Sequence, residues 1–155
     1  MQFGGRYFFA ATRGDVWMAL NDATVLKAAI PGCRRIEWTG PETLLVAVEV
    51  NLGVLHPVFS GDLTLSVVQP AEQYRLAGRG RGGLMGLAHG AADIHLADRP
   101  GGAELRFAAE GGASGQVMRL GRALVGHSAQ KVIDGFFERF ALAMGVSLEV
   151  LDPAG

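Results

Sequence analysis

The sequence predicts an α+β domain in which a curved antiparallel sheet of about seven strands wraps around one long C-terminal helix, with two short helices after the first strand. Three observations predict it. Apolar residues recur at spacing two in run after run as far as Glu110, with polar residues between them, as in antiparallel strands with one wet face. From Gly115 to Met144 the apolar spacing changes to three and four, the period of a helix. Between the first strand and the rest lie two sets of capping and stop signals.

Residues 2–11 form the first predicted strand, with Phe3, Gly5, Tyr7 and Phe9 on one face. Thr12 is placed to cap a helix and Asp15 to favour its first turn. That helix carries Val16, Trp17 and Leu20. Asn21 or Asp22 caps a second one bearing Val25, Leu26 and Ala29, which Pro31 and Gly32 stop. A weak strand follows at 34–39. A clearer one at 43–52 puts Leu44, Val46, Val48, Val50 and Leu52 on one face. At 58–68, Phe59, Gly61, Leu63, Leu65 and Val67 alternate with Ser60, Asp62, Thr64 and Ser66. Further strands are predicted at 73–82, 87–97 and 103–110, the last two joined by a turn at 99–102. The helix over 115–144 carries Met118, Val125, Ala129, Val132, Phe136 and Phe140 near one stripe, with Lys131, Asp134 and Glu138 opposite. At ~1.5 Å per residue it would be about 45 Å long. Residues 1–146 read as one domain and 147–155 as a short C-terminal tail.

The 155 residues suit a single core. A formal net charge of -1 offers no electrostatic footprint for nucleic acid. One cysteine, Cys33, allows no intrachain disulfide and is compatible with a reducing, cytoplasmic setting. No apolar run approaches the ~20 residues of a membrane-spanning helix.

The glycine-rich stretch GRGRGGLMGLAHG, residues 78–90, raises the question of a phosphate loop. Such a loop needs glycines followed by a helix, and the Walker pattern needs a Lys and a Ser or Thr. No lysine is present here, and LAHGAADIHL alternates like a strand. Parity places Tyr74, Leu76, Gly78, Gly80 and Gly82 on the inner face, and Arg75, Ala77, Arg79 and Arg81 outside. Ala88, Gly90 and Ala92 extend the bare patch in the next strand. Glycine within a strand marks close approach of a backbone or a ligand. The patch therefore either seats the long helix tightly or leaves room for an apolar molecule.

No catalytic constellation is evident. Cys33 reads as a small buried hydrophobe. His56, His89, His95 and His127 have no metal-ligand spacing, and no carboxylates are paired for acid–base work. Trp17 and the Phe136–Phe137 pair are core aromatics by default and apolar walls at best. No catalytic residue, metal ligand or covalently bound cofactor is assigned.

The chain resembles the CoxG family, the G-type subunits of carbon monoxide dehydrogenase, within the helix-grip superfamily of START and pollen-allergen-like domains (SRPBCC). The resemblance rests on FGG at 3–5, DVWMALND at 15–22, VLKAAIPGCRRIE at 25–37, FSGDL at 59–63, YRLAGRGRGGLMGLAHGAADIHL at 74–96, LGRALV at 120–125 and FFERF at 136–140. It spans residues 2–145 and implies a carrier rather than an enzyme: a domain that binds a membrane quinone non-covalently and links a molybdenum hydroxylase, such as carbon monoxide dehydrogenase, to the membrane. Many such proteins extend into a C-terminal membrane-binding segment. This sequence reaches Gly155 just after the helix, so the expected membrane contact is transient, at the inner face, through Leu84, Met85 and Leu87 rimmed by Arg79, Arg81 and Arg119.

The expected ligand contacts face inward: Leu26, Val48, Val50, Phe59, Leu63, Tyr74, Leu76, Gly78, Gly80, Met85, Phe107, Met118, Val125, Phe136 and Phe140. Tyr74 is the candidate hydrogen-bond partner for a carbonyl. Two other functions compete: a ligand-free assembly or recruitment factor for the hydroxylase, and a cyclase-like enzyme of the same superfamily. A filled helix–sheet interface would favour the first, and a polar pair inside a cavity the second.

Overall fold

A computed structural model describes residues 1–151. Strand β1 (Gln2–Phe9) leads into helix α1 (Arg13–Leu20) and helix α2 (Ala23–Ala29). The Thr12 hydroxyl caps α1 by accepting from the Asp15 N–H at 3.1 Å, and Asp22 caps α2 by accepting from the Thr24 N–H at 2.9 Å. Each supplies an acceptor to an N–H that has none within its helix. Strands β2 (Cys33–Trp38), β3 (Thr43–Glu49), β4 (Val58–Gln69), β5 (Gln73–Arg81), β6 (Leu87–Arg99) and β7 (Gly102–Ser114) follow, then helix α3 (Arg122–Met144) and strand β8 (Leu148–Leu151). The eight strands form one antiparallel sheet in the order β2-β3-β4-β5-β6-β7-β1-β8.

Four features depart from the sequence-based expectation. The strand count is eight rather than about seven, because Leu148–Leu151 pairs with β1 from Phe9↔Leu148 to Arg6↔Leu151. Gly145 makes this possible: at φ 71° it ends α3 in the left-handed conformation and turns the chain back. The remainder of the expected tail, 152–155, lies outside the described residues. Strand β3 stops at Glu49, and the following segment closes on itself through Leu52 and Leu55. Strand β7 runs to Ser114 rather than to 110, because Gly111 and Gly112 stay in register with Gly90 and His89. The helix expected over 115–144 is broken: Gln116–Leu120 is a 3₁₀ segment and Gly121, at φ 96°, separates it from α3. Its 23 residues give α3 a length of about 35 Å at ~1.5 Å per residue.

The core lies under the C-terminal half of α3. Phe140 is fully buried and meets Phe9 edge-on at 5.6 Å. Phe137 stacks on Tyr7 at 4.0 Å and on Phe107 at 5.3 Å. Phe137 is thus the more deeply placed of the two adjacent aromatics, and Phe136 packs partly buried against Phe140. Helix α2 meets α3 where Pro31 touches Gly135, a position at which a Cβ would come within 2.9 Å of the proline ring. These aromatic contacts hold one end of α3 down on the sheet.

On the outer face a buried carboxylate joins β1, β6 and β7. Glu104 accepts from Arg6 at 2.9 Å and from Arg99 at 2.5 Å. The Arg6 hydrogen bond holds its carboxyl below the ordinary value, burial opposes this, and the positive charges of Arg6 and Arg99 add to the lowering. A depressed folded-state pKa means that the native protein binds fewer protons than the unfolded chain. The stabilisation is therefore complete above the unfolded value and lost as pH falls through the folded one. Glu104→Gln should lower stability by about 1–3 kcal/mol at neutral pH. The gap to wild type should narrow on acidification below about pH 4. Thermal unfolding of both proteins across that range checks it.

Candidate ligand cavity

The sheet surface under the N-terminal half of α3 is nearly bare of side chains. Its cross-strand register runs Gly61–Gly80–Ala88–Ala113 in one row and Leu63–Gly78–Gly90–Gly111 in the next. A third row, Leu76–Ala92–Ala109–Phe3, borders the aromatic core. The glycines do not all serve the same purpose. A Cβ on Gly61 would overlap the Arg79 carbonyl, and one on Gly111 would stand 2.8 Å from the His89 carbonyl oxygen. Those two permit close approach of neighbouring strands. A Cβ on Gly80 would meet only Phe59 Cβ at 3.5 Å and the Ser60 oxygen at 3.8 Å. On Gly90 it would meet only the Glu110 oxygen, at 3.4 Å. No atom of α3 reaches either position, so the helix does not pack on the bare patch.

The space left is a cavity of about 580 Å³, within the range of sites that enclose small molecules. Val46, Val48 and Leu63 form one side, the glycine–alanine rows the floor, and Val125, Ser128, Ala129, Val132 and Ile133 of α3 the roof. Met1 and Phe3 close the flank beside α3. Asp62, Arg79, His89 and Glu110 also border the space, but strand alternation turns their exposed side chains to the outer face. The roof carries one hydroxyl, that of Ser128, a residue 7% exposed.

Of the residues expected to contact a ligand, Val48, Val50, Phe59, Leu63, Leu76, Gly78, Gly80 and Val125 line this cavity. The others stand elsewhere. Leu26 belongs to the core beneath α2. Phe107, Phe136 and Phe140 form the aromatic cluster that anchors α3. Met85 lies in the short 3₁₀ turn Gly83–Met85 between β5 and β6, and Met118 in the 3₁₀ segment before α3. Tyr74 is buried edge-on against Trp17 at 5.2 Å, away from the cavity wall, and burial raises its phenol pKa. All of these core positions share the inward parity of the cavity residues. Parity marks a face of the sheet but not the distance along it at which the helix lifts away.

Sequence reasoning missed Ser128, along with Phe3, Val46, Val117 and Ile133. The signal for Ser128 was present: it lies three residues after Val125 and four before Val132, on the helix's inward stripe.

The cavity opens toward the end of the sheet where the β3–β4, β5–β6 and β7–α3 connections gather. Val50, Leu52, Phe59 and Val117 line this opening. Beyond it the loops expose apolar tips, with Val54 97% and Leu84 91% exposed, and Leu55, Leu87 and Leu124 partly so. Arg79, Arg81 and Arg119 are exposed and make no ion pair among the described residues. Among those residues no helix is long and apolar enough to cross a membrane, and no three His, Cys, Asp or Glu side chains gather as a metal site.

Comparison with known proteins agrees with this architecture. The family model for CoxG, described as the G-type subunit of carbon monoxide dehydrogenase, matches residues 5–145. No curated protein matches the sequence. In structure the chain is similar to a conserved protein from Geobacillus kaustophilus, with a TM-score of 0.83 at 20% identity over 96% of this chain and 99% of that one. It is similar to an aromatase/cyclase from a Streptomyces species, TM-score 0.68 at 11% identity over 94% and 93%. It also resembles Ara h 8.0201, TM-score 0.66 at 14% identity over 93% and 97%. At these identities the structural likenesses establish the helix-grip fold.

Proposed function

The chain belongs to the CoxG family of carbon monoxide dehydrogenase subunits, and we propose on that footing that its cavity carries a hydrophobic small molecule, a membrane quinone or a similar lipid. In this role it serves a molybdenum hydroxylase such as carbon monoxide dehydrogenase and connects that enzyme with the membrane surface. One observation carries the reading: an open apolar cavity of about 580 Å³ whose floor is kept clear by glycines that α3 does not touch. The carrier reading fits a wall of this kind, since an apolar enclosure binds by removing ligand surface from water.

The rim supports the membrane part. Apolar tips at Val54, Leu84 and Leu87 surround the opening, and Arg79, Arg81 and Arg119 stand nearby. Such tips enter the headgroup boundary, and each arginine near an anionic surface adds roughly 1 kcal/mol of attraction, which salt screens. A ligand would then pass between bilayer and cavity without crossing water.

Incubation of the purified protein with anionic vesicles containing a quinone, followed by re-isolation, denaturing extraction and mass spectrometry, tests the proposal. About one quinone per chain is expected, with uptake falling as salt is raised. A protein that stays empty at every salt concentration would instead favour a ligand-free recruitment factor for the hydroxylase.

A further inference from the structure

Within the apolar cavity the Ser128 hydroxyl is out of place. Its neighbours on the inward stripe of α3 are Val125, Ala129 and Val132, and the facing floor is glycine and alanine. The residue is 7% exposed, yet its side chain makes no hydrogen bond to any described residue. A serine inside a helix ordinarily bonds back to the carbonyl one turn earlier or points to solvent. Ser128 does neither and borders the cavity. Buried polar groups almost always have a partner, and a donor without an acceptor is the rarer exception. Here the partner has to come from whatever fills the cavity: water when it is empty, a ligand atom when it is occupied.

We infer that Ser128 is the specificity-determining contact of the cavity, donating its hydroxyl proton to a carbonyl oxygen on a flat, otherwise apolar ligand held between α3 and the glycine–alanine floor. The inference rests on the carrier reading and narrows it to molecules with an acceptor on the ring body rather than at the end of a tail. The sheet can supply nothing equivalent. The N–H and C=O groups of the floor residues are engaged by the ladders of β5, β6 and β7, and the polar side chains of those strands project outward. A hydrocarbon of the same shape would leave the hydroxyl unpaired, and sites that hydrogen-bond a ligand group discriminate against analogues lacking it.

The test compares two probes with one ring skeleton, 2-methyl-1,4-naphthoquinone and 2-methylnaphthalene, titrated calorimetrically into wild type, Ser128→Ala and Ser128→Thr. Wild type should prefer the quinone, and Ser128→Ala should weaken quinone binding about fivefold to tenfold while leaving hydrocarbon binding unchanged. Ser128→Thr, which keeps the hydroxyl, should retain the preference. In infrared difference spectra the bound quinone carbonyl stretch should lie at lower frequency in wild type than in Ser128→Ala. Equal losses for both probes in Ser128→Ala, or no loss for either, would overturn the inference while leaving the carrier reading standing. Failure of both probes to bind wild type would overturn both.

Discussion

Gly80→Leu should abolish most ligand uptake while leaving the fold intact. A Cβ at this position meets only ordinary contacts, and the backbone needs no special conformation there. The added isobutyl group therefore projects into the cavity between β4, β5 and α3 rather than into a neighbour. Replacing glycine within a strand also removes an entropic handicap of roughly 0.5–1 kcal/mol. The melting temperature should hold or rise, while affinity for a quinone probe falls at least about tenfold, a loss of about 1.4 kcal/mol in binding. Gly111→Ala is the contrasting control. Its Cβ would stand 2.8 Å from the His89 carbonyl, so it should cost stability by forcing β6 and β7 apart. Calorimetric binding and thermal unfolding of the two variants separate the roles. Undiminished binding by Gly80→Leu would mean that the ligand sits elsewhere.

The largest effect on stability is expected from Phe140→Ala. Sequence parity groups Phe140 with the ligand contacts, but the side chain is fully buried between Phe9 and Phe136, away from the cavity. Removing it takes away the edge-on contact with β1 and leaves a void in a packed core, a change that costs about 3–5 kcal/mol. For a domain with ~5–15 kcal/mol of total stability that is a large share, and the melting temperature should drop by about 10 °C or more. What remains folded should bind a quinone probe with near-native affinity. A variant that melts normally yet loses binding would place Phe140 in the site after all. Denaturant unfolding monitored by tryptophan fluorescence, with parallel titration of probe, distinguishes the two results.

Much of this architecture was legible from local pattern. The caps at Thr12 and Asp22 are chemical signals within a few residues, and they mark both short helices. Alternation exposed β4, β5 and β6 with nearly correct bounds, because each has one wet face. It failed for β8, where four residues after a helix carry too little period to register, and at the end of β7, where Gly111 and Gly112 imitate a turn. The break at Gly121 was hidden because Met118 and Leu120 continue a helical spacing through a 3₁₀ segment.

The sequence by itself determined that a long apolar-striped helix would face the inner side of an antiparallel sheet, and that the inner face of β5 and β6 would be nearly bare. Both follow from residue periods of two and three to four, which are properties of the chain's own geometry. The tertiary structure alone decided which inward residues meet one another and which meet empty space. Phe137 and Phe140 wedge the C-terminal half of α3 against Tyr7, Phe9 and Phe107, and the other half stands off the glycine rows. Core and cavity therefore draw on the same parity and the same stripe. What divides them is the separation between helix and sheet at each point along α3, and that separation is set by side chains far apart in the chain, from Tyr7 to Phe140.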